Sequence, residues 1–167
     1  MQYAPSTLDF TQVIEANKRL IFKICTAYCK NTDEREDLAQ EIIFQLWKSW
    51  GKYNASVKLS TWMYRIALNV AISSYRKEQK RASTELIGDQ LFEIADENLQ
   101  DGLSEHLDDL QHFINELKVL DKALMLLYLE EKSHQEIAEI IGITPTNVAT
   151  KIGRIKEQLR QKFSKLK

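Results

Sequence analysis

Ser133-His134-Gln135-Glu136-Ile137-Ala138-Glu139-Ile140-Ile141-Gly142-Ile143-Thr144-Pro145-Thr146-Asn147-Val148 reads as two helices joined by a tight turn. Ser133 followed three residues later by Glu136 is a capping box, in which hydroxyl and carboxylate satisfy each other's backbone N–H groups. Ile137, Ile140 and Ile141 share one face, with Ala138 as the small residue where helices cross. Gly142 suits the left-handed residue that ends a helix. Thr144 caps the next helix and Pro145 takes its first position, where the missing N–H costs nothing. Val148, Ile152, Ile155, Leu159 and Phe163 then recur at helical spacing and face inward. The pattern is a helix-turn-helix. Its second helix carries Thr144, Thr146, Asn147, Thr150, Lys151 and Arg154 at its start and on its outward face. Short polar groups near the N-terminal end of a recognition helix reach base edges, and bases further along hold phosphates. Asn can pair with adenine and Arg or Lys with guanine. Gly153 inside this helix costs about 1 kcal/mol against Ala. A close approach by another backbone or by DNA is one explanation for it.

Working toward the N-terminus, helices are expected over 121–130, where Leu124, Leu127 and Tyr128 pack, and over 105–117. A first helix is expected over roughly 8–29 and a second over 34–49, capped by Thr32 or Asp33. The second carries the stripe Leu38, Ile42, Leu46 and Trp50. A loop over 51–56 leads to a third helix that starts at Ser60 or Thr61 and ends near Arg81. Its expected inward row is Trp62, Ile66 and Val70, with Met63 and Ala67 beside it. Strand-like alternation is absent. The expected fold is therefore all-α: a three-helix domain over 1–81 and a four-helix domain over 105–167. An acidic flexible linker over 82–104, partly disordered when free, joins them.

The net charge of −1 hides a strong segregation. From 82 to 121 there are eleven acids against one base, Lys118, a net of −10. From 58 to 81 there are six bases and one acid, a net of +5, and from 144 to 167 seven bases and one acid, a net of +6. Basic stripes on helices are the electrostatic footprint of phosphate binding. The first block contributes Lys58, Ser60, Thr61, Arg65, Asn69, Ser73, Arg76, Lys77 and Lys80 as a second candidate nucleic-acid face, behind a loop that also holds Tyr53. Aromatic and polar groups in a basic loop are what single-stranded bases stack on. The helix over 34–49 differs. Asp37, Gln40, Glu41 and Gln45, together with Trp47, give it an acidic and aromatic outer face, suited to a protein partner with a basic complement and with Trp as an anchor.

Other classes are excluded on composition. No run of 18 apolar residues occurs, so no membrane insertion is expected. Met1-Gln2-Tyr3-Ala4-Pro5 lacks the regions of a secretory signal, which points to a cytoplasmic protein. Cys25 and Cys29, four apart, share a helix face as small core residues of a reducing compartment. His106, His112 and His134 form no metal spacing, so no metal or other cofactor is expected. There is no Gly-rich phosphate loop and no nucleophile–base set, and an enzyme is not expected.

Asp37-Leu38-Ala39-Gln40-Glu41 followed by Trp47, Leu59-Ser60-Thr61-Trp62-Met63-Tyr64-Arg65-Ile66-Ala67-Leu68-Asn69, and the stretch from Ser133 to Leu159 occur in this order with an acidic segment between the last two. In these residues the chain resembles the extracytoplasmic-function sigma factors over nearly its whole length. The resemblance implies that Asp37, Gln40, Glu41, Phe44 and Trp47 bind the β′ clamp helices of core RNA polymerase. It implies that the 58–80 set melts and reads the minus-ten promoter element, and that the 144–154 set reads the minus-thirty-five element. The β flap of the polymerase and an anti-sigma factor are further implied partners. Three departures stand out: Ile43 where the family often has Phe, Ser73 where it usually has Asp, and Arg65-Ile66 where housekeeping members carry a tandem Trp. The last implies weaker melting and stricter promoter choice. Two other classes stay open from the residues alone: a stand-alone helix-turn-helix regulator, and a sigma mimic that only titrates an anti-sigma factor.

Overall fold

The structure, a computed structural model, describes residues 7–85 and 103–166, with side chains from 9 to 82 and from 107 to 166. The N-terminal half holds α1 (Thr7–Ala16), α2 (Lys18–Tyr28), α3 (Thr32–Trp50) and α4 (Leu59–Glu85). The C-terminal half holds α5 (Leu103–Asn115), α6 (Val119–Leu129), α7 (His134–Ile141) and α8 (Pro145–Ser164). Among the described residues there is no strand. The linker expected over 82–104 lies mostly in 86–102, outside the described residues.

The first expected helix is broken at Asn17. Its Nδ2 donates to the Val13 carbonyl at 2.8 Å, and its backbone N–H lies 3.1 Å from the carbonyls of both Val13 and Ile14. A short amide side chain competing for backbone groups is a known way to end a helix. Asn31, rather than Thr32 or Asp33, caps α3: its Oδ1 accepts from the Glu34 N–H at 2.9 Å. The core of this half joins Ile24 and Cys25 of α2, Leu38, Ile42 and Leu46 of α3, and Met63, Ala67 and Ala71 of α4. Phe10 of α1 lies on Trp47 and Trp50, with ring centroids 5.2 and 5.5 Å apart. Cys25 is buried and Cys29 half-buried, and burial pushes the Cys25 thiol up to about 11, so it stays protonated and packs as a small apolar group.

The buried row of α4 differs from the expected one. Trp62, Ile66 and Val70 are only half-buried, whereas Met63, Ala67 and Ala71 are fully buried, with Tyr64, Leu68 and Ile72 beside them. The cause is that α4 is covered on two sides, by α2 and α3 and by α6 and α7. The stripe therefore widens and its centre turns toward the second half.

In that second half, Leu124 and Leu127 of α6, Ile137 of α7, and Val148 and Ile155 of α8 form the core. The capping box is complete. Ser133 Oγ accepts from the Glu136 N–H at 3.1 Å, and Glu136 Oε2 accepts from the Ser133 N–H at 2.9 Å. That bond and a second from Lys58 hold the Glu136 carboxyl below the usual carboxylate range. Gly142 has φ +84°, and the N–H groups of Gly142 and Ile143 both reach the Ala138 carbonyl, at 2.8 and 3.3 Å. Thr144 Oγ1 accepts from the Asn147 N–H at 3.2 Å, fixing the start of α8. After α6 the left-handed position is filled by Glu131, φ 59°, with the Lys132 N–H returning to the Leu127 carbonyl at 3.2 Å.

These two left-handed positions give opposite expectations. Gly142→Ala lowers stability by about 1 kcal/mol, because a Cβ disfavours this conformation, and Glu131→Gly raises it by a similar ~1 kcal/mol. Urea titration of both variants checks this; shifts of the same sign would contradict the turn geometry.

Candidate nucleic-acid and partner-binding faces

The apolar stripe of α8 is spent on the core: Val148, Ile152, Ile155 and Leu159 are buried. The opposite side therefore faces solvent, and Thr144, Thr146, Asn147, Thr150, Lys151 and Arg154 are all exposed. Thr144 is committed to the cap, and Thr150 Oγ1 donates to the Thr146 carbonyl at 3.0 Å. Thr146, Asn147, Lys151 and Arg154 carry the groups still able to reach a ligand, and among the described residues no ion pair engages the two bases. Lys118, in the turn before α6, lines one hollow with Leu120, Lys151 and Arg154 and extends this basic face. Its standing as the single base in the acidic 82–121 stretch was the available signal for it. Gly153 is exposed, and a Cβ built on it meets nothing within 4 Å, so no protein contact requires glycine there.

The nine residues of the other candidate face are not one patch. Asn69, Ser73, Arg76, Lys77 and Lys80 lie exposed along α4. Asn69, Ser73 and Lys77 share a hollow with Glu41 and Gln45 of α3, so this stripe adjoins the acidic helix. Thr61 is only 3% exposed and Ser60 half-buried, because the first turn of α4 is packed inward. Thr61 is thus a packing residue rather than a presented one. Lys58 and Arg65 are held by the other half: Lys58 Nζ lies 3.1 Å from Glu136 Oε1, and Arg65 Nε donates to the Glu139 carbonyl at 2.8 Å.

On α3 the expected partner face is present. Asp37, Gln40 and Glu41 are exposed, and Phe44 and Trp47 stand out at 54% and 45% exposure. Large apolar groups left in water among acids mark an interaction surface rather than a core. Phe10 meets Trp47 at an interplanar angle of 64° and so sets the orientation of its indole.

One buried charge was not legible from the sequence. Lys122 of α6 is 4% exposed, between the rings of Tyr28 and Tyr75, with Nζ 5.4 and 5.3 Å from their centroids. Burial, and then the nearby Lys30, push its ammonium below the usual lysine range. Nothing in its own segment, apolar from Ala123 to Leu127, signals that its side chain crosses to the other half.

Among the described residues no helix is long and apolar enough to cross a membrane, and no group of three or more His, Cys, Asp or Glu side chains is placed to hold a metal ion. Residues 13–81 match the family Sigma-70 region 2, and residues 107–159 match Sigma-70, region 4. The chain is 30% identical to the ECF RNA polymerase sigma factor SigW of Bacillus subtilis (strain 168), over 94% of this chain and 90% of that one. It is 26% identical to the RNA polymerase sigma factor SigV of the same organism, over 91% and 89%. The fold is similar to that of the sigma factor RpoE of Bartonella quintana, solved with the anti-sigma factor NepR, at a TM-score of 0.75 and 21% identity, covering 93% of this chain and 97% of that one. With region 2 carrying the exposed acidic–aromatic helix and the basic α4, and region 4 carrying the helix-turn-helix, the chain belongs to the extracytoplasmic-function RNA polymerase sigma factors.

Proposed function

We propose that the chain docks on core RNA polymerase through α3 and directs it to a limited promoter set by two-point reading. Residues 1–81 form the unit that binds polymerase and opens the minus-ten element, 82–104 the acidic connector, and 105–167 the unit that reads the minus-thirty-five element. The observation that carries this reading is the separation of faces. The exposed Phe44–Trp47 acidic face lies on one half, and the exposed Asn147, Lys151 and Arg154 face on the other. A stand-alone helix-turn-helix regulator would leave the first of these without a role.

Asp37, Gln40, Glu41, Phe44 and Trp47 bind the β′ clamp helices, with the two aromatics as anchors and the acids meeting a basic complement. Asn147 and Arg154 read base edges of the minus-thirty-five duplex, Lys151 and Lys118 hold phosphates, and the β flap positions the second half. Lys58, Ser60, Arg65, Asn69, Ser73, Arg76, Lys77 and Lys80 engage the minus-ten strand. Thr61 leaves this set and serves the packing that positions it. The protein forms no covalent intermediate, is not an enzyme, needs no cofactor, and works in the cytoplasm where the polymerase is. An anti-sigma factor is a further partner, in keeping with the NepR complex of the Bartonella quintana relative.

Two variants separate the roles. Arg154→Ala lowers transcription from the cognate promoter by roughly 10-fold, the scale of one bidentate base contact, with core affinity unchanged in a fluorescence titration. Equal loss of core binding would sink this assignment. Trp47→Ala shows the reverse: core affinity falls by about 30-fold, as for an interface anchor, while an isotherm for duplex DNA binding by the free protein does not move.

A further inference from the structure

Gly153 is the residue of α8 that the fold of the chain leaves without a purpose. It lies inside the helix, roughly two turns beyond Pro145, with no left-handed backbone to call for glycine. A glycine in such a place weakens a helix, because its bare backbone gains the most freedom on unfolding. Gly153 is exposed, and a Cβ built on it meets nothing within 4 Å, so alanine fits the free protein without displacing an atom. Gly142, by contrast, is held at φ +84° and is required by its turn. The weakening at Gly153 is offset by nothing inside the chain.

Thr146, Thr150 and Gly153 follow one another at spacings of four and three, so they run along one face of α8. Arg154 flanks the glycine on one side and Lys156 on the other, and Lys156 Nζ is held 4.5 Å from the centre of the Tyr128 ring. One turn further on, the face ends in an acid: Glu157, paired with Arg160 at 2.9 Å. The major groove is about 8.5 Å deep, and a helix rises about 1.5 Å per residue. A helix that enters N-terminus first therefore has roughly six residues below the rim. Gly153 follows within one turn, where the phosphates of the rim stand. We propose that Gly153 is the point at which the sugar–phosphate backbone of the minus-thirty-five duplex crosses α8. With no Cβ between them, one phosphate packs on the bare helix, flanked by Arg154 and Lys156. The glycine reads no base itself; it sets how far α8 sinks into the groove, and so positions Asn147 and Arg154. This role rests on the minus-thirty-five reading of α8.

The crossing point makes stability and binding move in opposite directions. The full chain is assembled with core polymerase on promoter fragments that differ only in the minus-thirty-five element. Gly153→Ala is expected to raise the urea midpoint of the free protein, with its unfolding constant lowered roughly fivefold. The same variant is expected to weaken promoter binding by about tenfold, the scale of one hydrogen bond to a charged group. The loss is the same factor on every fragment, and the slope of log affinity against log salt becomes shallower by about one, as for one lost phosphate contact. Gly153→Leu, also a good helix former, is expected to lose more, because a longer side chain holds the strand further off. A loss on one minus-thirty-five sequence only, with the salt slope unchanged, assigns Gly153 to base reading and overturns the crossing point. A lowered urea midpoint, or binding unchanged in both variants, overturns it as well. Lys151→Ala and Arg154→Ala tell the two levels apart. If they weaken binding and the glycine variants do not, the crossing point alone falls. If they too are without effect, the minus-thirty-five reading of α8 falls with it.

Discussion

The constraint on which the rest of the structure depends is the burial of α4 on two sides. Met63, Ala67 and Ala71 tie it to α2 and α3, while Tyr64 and Tyr75 turn to the second half. Up to Tyr75 this leaves α4 only a narrow edge in solvent, which carries Asn69 and Ser73, whereas from Arg76 to Ala82 every residue is exposed and Arg76, Lys77 and Lys80 stand on a free end of the helix. The same packing draws Thr61 inward and brings Lys58 and Arg65 against α7.

The second half follows a simpler logic. Its helix-turn-helix is fixed by three local devices: the Ser133–Glu136 capping box, the left-handed Gly142 and the Thr144 cap with Pro145 behind it. Each satisfies backbone groups that a helix end leaves without partners. Together they set α8 so that one face fills the core and the other meets water. Lys118 reaches the same face from the turn before α6, which widens the positive surface beyond the helix itself.

Local features were the legible ones. Cap residues, the glycine turn and the 3.6-residue stripes of α3 and α8 act within a few residues, so the sequence displays them directly. The charge blocks were legible for the same reason and pointed to the two candidate basic faces. What was hidden depends on distant partners. The widened stripe of α4 requires knowing that two layers cover it. The break at Asn17 turns on one side-chain bond to Val13, a choice that polar periodicity does not reveal. Asn31 caps α3, but Thr32 and Asp33 follow it and are equally good capping types, so the sequence alone does not single it out. Lys122 was the least visible. An isolated lysine beside an apolar run reads as a solvated residue, and only the approach of Tyr28 and Tyr75 gives it a buried place.

On the proposed two-point reading each half reads one promoter element, and the choice of a site among many competitors rests on both together. Run-off transcription with purified core polymerase on genomic fragments tests this central claim most directly. The account predicts discrete transcripts that require both this protein and core. Tight, specific binding to duplex fragments without core, and no core-dependent transcripts, would contradict it.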